Sequence, residues 1–323
     1  MWGLDLENLA MNHADTMDTQ ADADMPQFIA FSYSGNMVAA RSEESHIEFL
    51  DTTTGEVIAR TDFDDVMEIA FSPDEDQVAF LSRSRITKCD TVHPNNRVSF
   101  KPWLSKYVRF WHVAFQTCND LVICTVFDDD SASLQVWHRQ DPAGFECTYS
   151  LEIKVKAAKR LLLAPDGLTV VIVPEYSSAK CYSWNDDTAQ FHPIDFVDFP
   201  VYIYAPKYSP DGRLFACWSR DDSHVRVWDT RTGRLVSKFP TSWVDAMALS
   251  PTLMEHSPSD RLIALWFEDE DTIHLLNVYT GHLYAKILGQ GSADMTFIRD
   301  GTKLAQYSSD FVPSRINVMS ALP

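Results

Sequence analysis

Residues 208–239 read YSPDGRLFACWSRDDSHVRVWDTRTGRLVSKF, and this stretch decides the fold. An apolar strand ends at Tyr208, and the turn SPDGR follows. Its Pro fixes φ, its Asp bonds nearby backbone, and its Gly takes a positive φ, which is hairpin chemistry. LFACWS is a nearly continuous apolar run, the pattern of a strand buried on both faces. After RDDS comes a third strand, HVRVWD, then the turn TRTGR and a fourth strand, LVSKFP.

The same phrase recurs along the chain. First strands end at Phe31, Phe71, Phe115, Leu163, Tyr208, Leu249 and Phe297, at intervals of 40–48 residues. The turns after them read SYSGN, SPDED, QTCND, APDGL, SPDGR, SPT and IRDGT. Third strands carry their last anchors at Leu50, Cys89, Trp137, Trp184, Trp228, Leu276 and Met319, at intervals of 39–48. Two independent landmarks thus share one period. Four short strands per period of about 40–45 residues is the signature of a β-propeller. The sequence therefore predicts an all-β fold, a seven-bladed β-propeller of four-stranded antiparallel blades, over residues 28–323. The seventh unit stops after its third strand. The acidic N-terminal segment 1–27, most plausibly within 15–27, is the candidate to complete it; its composition is a poor strand former. An open edge is the alternative.

At these residues the chain resembles the WD40-repeat (WD-repeat) family. The fifth unit holds the Trp-Asp dipeptide as Trp228-Asp229, with the tight-turn Asp as Asp222. The resemblance implies that Asp222 and Trp228 belong to a hydrogen-bond relay through Ser and His in the blade. The chain departs from the family pattern in two ways. Gly281-His282 sits in the wrong turn to supply a relay His, and most Trp positions hold Leu, Cys or Met. In this degenerate texture the repeats resemble the C-terminal propellers of fungal nucleotide-binding signalling proteins of the NACHT/STAND type, although no GxxxxGK[ST] occurs.

Composition narrows the function. The formal net charge of -19 opposes phosphate binding and favours basic partners. The one basic cluster, KVKAAKR at 154–160 beside SRSR at 82–85, reads as a local basic edge rather than a nucleic-acid site. Six scattered cysteines form no CxxC pair and show no zinc spacing. No signal peptide and no apolar run of membrane-spanning length is evident, so the expectation is a cytoplasmic or nuclear address with reduced thiols. No GxSxG or HExxH occurs, and the histidines are dispersed. No cofactor or metal is expected.

Two groups of residues stand out as partner-binding candidates. Acidic loops between second and third strands hold 128–130 with Asp129, then Asp221 and Asp222, then 268–271 with Asp269. They would steer a basic protein or peptide; Asp also favours tight turns in its own right. The connections from fourth strands to the next first strands carry Trp103, Tyr107, Phe199, Tyr202 and Trp243. Exposed aromatics beside charge make interface hot spots; as wedges between blades they would instead be core. The expected function is a non-catalytic protein-protein interaction scaffold. The alternative is a propeller enzyme of hydrolase or lactonase type with a site in the central channel, near Asp65, Glu68, His112 and Asp245.

Overall fold

A computed structural model of the chain describes residues 29–320, apart from 33, 35, 42–45, 52–53, 64–65, 83–84, 103–107, 128–130, 141–143, 157, 175–178, 242–250, 258, 289–293, 299–302 and 308–315. These residues form seven antiparallel sheets in chain order, six of four strands and one of three. We call them blades 1 to 7. They span 29–62, 66–100, 108–154, 158–194, 203–240, 253–288 and 294–320. The only helix among the described residues is a 3-10 turn, Glu268–Glu270. The segment proposed to close the seventh blade, 1–27, lies outside the described residues.

The second strand of each blade explains why the sheets stack. In Thr169–Pro174, Leu214–Ser219 and Leu262–Phe267 every side chain is buried. Successive side chains point to opposite faces, so each strand serves two seams. Val170 and Ile172 join the core between blades 3 and 4, while Val171 and Val173 join that between blades 4 and 5. Leu214, Ala216 and Trp218 face blade 6, while Phe215 and Cys217 face blade 4. Ile263, Leu265 and Phe267 face blade 5, while Leu262, Ala264 and Trp266 face blade 7. Six apolar clusters result, one for each seam between consecutive blades from 1 to 7. Each fully buried large apolar side chain contributes roughly 1.5–3 kcal/mol relative to exposure. No blade could collect that alone.

Two recurrent turns set the register. After the first strand, a buried serine accepts the amide proton of the residue that opens the second strand. The pairs are Met37 N to Ser32 Oγ (3.1 Å), Gln77 N to Ser72 Oγ (3.0 Å), Leu214 N to Ser209 Oγ (2.9 Å) and Leu262 N to Ser257 Oγ (3.0 Å). The last pair corrects the sequence reading of the sixth unit. Its first strand is Leu253–His256, so the unit's anchor is His256 and not Leu249, and the turn is 257–261 rather than SPT. The sequence contains two Ser-Pro turn signals seven residues apart; the first precedes the strand Leu253–His256, and the second makes the reversal between that strand and its partner Leu262–Phe267.

The second turn follows the third strand. Asp51, Asn185, Asp229 and Asn277 each accept a backbone N–H three residues on, at 2.9, 3.1, 2.8 and 3.0 Å. The Asp of the Trp-Asp dipeptide is therefore a turn former. The turn ends at a residue with positive φ, which is Gly281 (67°) in blade 6 but Ala189 (50°) in blade 4. A Cβ on Gly281 would overlap the ring of Phe239 in the neighbouring blade. Gly281→Ala should therefore cost about 2 kcal/mol or more, and Ala189→Gly should add about 1 kcal/mol by relieving left-handed strain. Urea denaturation of both variants checks this; a Gly281→Ala protein as stable as its parent would remove the steric claim.

Candidate protein-binding site

Antiparallel blades place the loops between second and third strands at the same end as the connections from fourth to first strands. The three acidic stretches do lie between second and third strands, at 128–130, 220–223 and 268–271. The fullest view of this rim is the sector around blade 5, where the connection 195–202 meets the loop 220–223.

The connection IDFVDFPVY is fixed by its aromatic residues. Phe196 stacks on Trp228 at 5.7 Å between centroids, and Phe199 lies 4.9 Å from the same ring. Both also pack against Phe215. The main chain is held as well. Val197 N donates to Gly233 O (2.9 Å), and Val197 O accepts from Trp228 Nε1 (2.6 Å). With these side chains turned inward, Val197, Val201 and Tyr202 are left outward, at 57%, 46% and 53% exposure.

Asp198, in the left-handed region at φ 56°, turns its carboxylate to the next blade. It accepts from Arg226 Nε (3.1 Å) and Lys238 Nζ (2.9 Å). Arg226 also donates to both oxygens of Asp222, at 3.0 and 2.7 Å, and Lys238 lies 3.2 Å from Asp222. The Arg226 side chain is only 5% exposed. Burying a guanidinium demands partners, and a bidentate carboxylate fits its planar fork. The fork lies on the Trp228 face of the third strand, because Val225 and Val227 point the other way into the seam with blade 6. The cations hold both carboxylates ionised below the usual range. For Asp222 the hydrogen bond from Arg226 is the main cause, and its pKa falls to about 2. For Asp198 the bond from Lys238 leads, followed by that from Arg226.

This arrangement departs from the relay that the family resemblance implies. Trp228 donates to backbone at Val197, and Asp222 serves Arg226 and Lys238, with His224 Nδ1 at 3.7 Å. Arg226, Lys238 and Asp198 were not among the residues singled out from the sequence. Their one signal was an Arg between two valines, four residues after an Asp in a tight turn.

The remaining candidates fall as follows. Asp221 is exposed, with its N–H bonded to Ser219 Oγ (3.3 Å). Phe199 is half-buried, with its ring against Trp228, whereas Tyr202 points outward. The structure thus joins Asp221, Asp222, Phe199 and Tyr202 in one sector. Asp269 lies in the 3-10 turn between second and third strands of blade 6, with its side chain outside the described atoms. Trp103, Tyr107, Asp129 and Trp243 lie outside the described residues.

Of the channel residues, Glu68 and His112 form a pair across blades 2 and 3. His112 Nδ1 is 2.9 Å from Oε1, and Val113 N donates to Oε2 (3.0 Å). Burial opposes the imidazolium, but the Glu68 carboxylate outweighs it and raises the pKa. One oxygen of Glu68 thereby caps an edge amide of the next blade, which is a structural task. Asp65 and Asp245 lie outside the described residues. Among the described residues no three His, Cys, Asp or Glu side chains converge as metal ligands. All six cysteines are unpaired, and burial pushes Cys89 and Cys181 up to about 12.

No family model matches this chain, and neither does any curated protein. Solved structures do. The β-propeller domain of Myceliophteria thermophila Cps50 (Swd1) superposes with a TM-score of 0.62 at 11% identity, over 91% of this chain and 96% of that one. Kluyveromyces lactis Hsv2 gives 0.60 at 14% identity, over 91% and 98%. At this identity the likeness speaks to fold.

Asp222 contributes stability that is present above the ordinary carboxylate range and is lost as pH falls from about 4 through about 2. Asp222→Ala should cost about 2 kcal/mol near neutral pH by leaving Arg226 under-paired. It should also lose less stability than the parent on acidification, which thermal melts across that range will read. Together, the blades, their shared seams and the superpositions show that the chain folds as a β-propeller.

Proposed function

We propose that this chain is a non-catalytic platform that binds a protein or peptide partner on the rim built by the second-to-third-strand loops and the inter-blade connections. One observation carries the reading. The exposed Val201 and Tyr202 sit in a connection clamped to the neighbouring loop by the Asp198–Arg226–Asp222–Lys238 network. A clamped surface loses little entropy on docking, so modest contacts suffice. Tyr202 supplies the amphipathic ring that interfaces favour.

The charge reading narrows on the same ground. Asp198 and Asp222 are neutralised by their own cations, and Glu270 is bonded to Lys286 (3.0 Å). The exposed Asp221 and Glu268 stay on the rim as acidic groups for a basic partner, and Asp129 and Asp269 extend that set on the sequence. Trp103, Tyr107 and Trp243 belong to the corresponding connections of other blades and would widen the aromatic surface.

The test uses a fluorescent Lys/Arg-rich peptide. Its affinity should weaken about fivefold or more between about 50 and about 300 mM salt. Tyr202→Ala should weaken it about tenfold. Val92→Ala, in the third-to-fourth-strand turn on the opposite rim, should leave it unchanged. Binding that ignores both salt and Tyr202 would overturn the proposal.

A further inference from the structure

Blades 1 to 6 each leave a fourth strand as the open edge of a four-stranded sheet. An open edge pairs with another chain unless charge, proline or shortness prevents it. Five of these strands are protected. Val57–Asp62 of blade 1 carries the well exposed Arg60 and Asp62. Arg97–Phe100 of blade 2 has only four residues. Gly144–Lys154 of blade 3 exposes Glu146, Glu152 and Lys154. Gln190–Ile194 of blade 4 holds Pro193, and Leu235–Pro240 of blade 5 holds Lys238 and Pro240. The last strand of blade 7, Ile316–Ser320, has its side chains outside the described atoms.

The fourth strand of blade 6, Leu283–Leu288, reads LYAKIL and contains no proline. Its one charge, Lys286, is held by Glu270 (3.0 Å). Leu283 is exposed, Tyr284 and Leu288 are 53% and 77% exposed, and Ala285 and Ile287 are half-buried beside the seam with blade 7. The two ends of this strand differ in charge. Leu288 pairs with Thr272, so the loop 268–271, four acidic residues in a row, stands at that end. The turn 278–282 leads into the other end and is tied by Val278 N to Arg261 O (2.9 Å). Arg261 and His282 are exposed there, with Asp260 half-buried beside them. Arg261 makes no ion pair among the described residues.

We propose that the fourth strand of blade 6 pairs antiparallel with the same strand of a second copy of this chain, giving a two-fold dimer. A two-fold axis perpendicular to the sheet reverses the strand, so the acidic end of one copy meets the Arg261–His282 end of the other. With the axis through Ala285, Tyr284 faces Lys286 of the second copy and Leu283 faces its Ile287, and each pair occurs twice. These are a cation–π pair and an apolar cross-strand pair around a small central residue. An axis through Lys286 would set two ammonium groups together, so the side-chain pattern selects one register. Each copy carries a net charge of -19, but that repulsion is screened beyond about 8 Å at physiological salt, and contact at the edge decides the outcome. The proposal does not rest on the rim reading, since the pairing strand lies at the outer edge of its blade.

Sedimentation velocity on the full chain tests this. The parent should pass from monomer to dimer with a Kd of about 10 µM. Tyr284→Lys should weaken dimerisation about tenfold or more, although it lowers the net negative charge and so eases the overall repulsion. Val57→Lys makes the same change of charge on the outer strand of blade 1 and should follow the parent. Hydrogen exchange on the parent gives a readout that needs no variant to fold. Amides of residues 283–288 should exchange more slowly at about 100 µM than at about 1 µM. A parent that stays monomeric at about 200 µM, or whose 283–288 amides ignore concentration, would overturn the proposal. Growth beyond a dimer would do so too, because a two-fold pairing closes on itself. The same holds for a folded Tyr284→Lys protein that dimerises as the parent does.

Discussion

A six-residue strand with apolar side chains on both faces is the constraint on which this molecule rests. Such a strand cannot be satisfied within its own sheet, because a sheet of four strands has two faces and no interior. The second strand of each blade therefore forces a neighbour on each side. Repetition of that demand along the chain leaves stacking as the solution. The seam clusters make the demand visible, since alternate residues of one strand belong to different cores.

Polar groups then decide how blades meet rather than whether they do. Serine at the first turn and Asp or Asn at the second satisfy backbone donors that the sharp reversals would otherwise strand. Between blades, carboxylates reach across. Glu68 takes an amide of blade 3, Glu75 holds Ser34 of blade 1, and Asp74 meets Cys118 of blade 3. These contacts replace the Ser–His–Trp relay that the family resemblance implies. Most repeats hold no tryptophan at that position, and other polar ties join the rigid sheets, among them the buried Lys88 donating to Cys118 O of the next blade and Arg226 with its two aspartates. The cost of desolvating that guanidinium is offset only while both carboxylates remain ionised and in place. The connection 195–202 is therefore fixed in one geometry, and rigidity of this kind gives the rim a defined face for a partner.

The sequence alone determined the fold class, the number of units and the ends of the sheet at which acidic loops lie. Those follow from periodicity and turn chemistry, which are local and additive along the chain. It also marked Asp221, Asp222, Phe199 and Tyr202 as members of one rim. Tertiary structure alone decided what each does there. Phe199 and Tyr202 are three residues apart in the same connection, yet one ring lies against Trp228 and the other faces outward, because only one side of that connection has a neighbouring blade to cover it. Asp222 reads in the sequence as acidic loop charge and as the tight-turn aspartate of a relay, but Arg226 and Lys238 engage it, since a strand and its neighbour bring cations to a loop from positions the one-dimensional pattern reads as core or edge. The anchor at His256 likewise depends on which strand pairs, and strand pairing is decided by the tertiary packing rather than by any window of sequence.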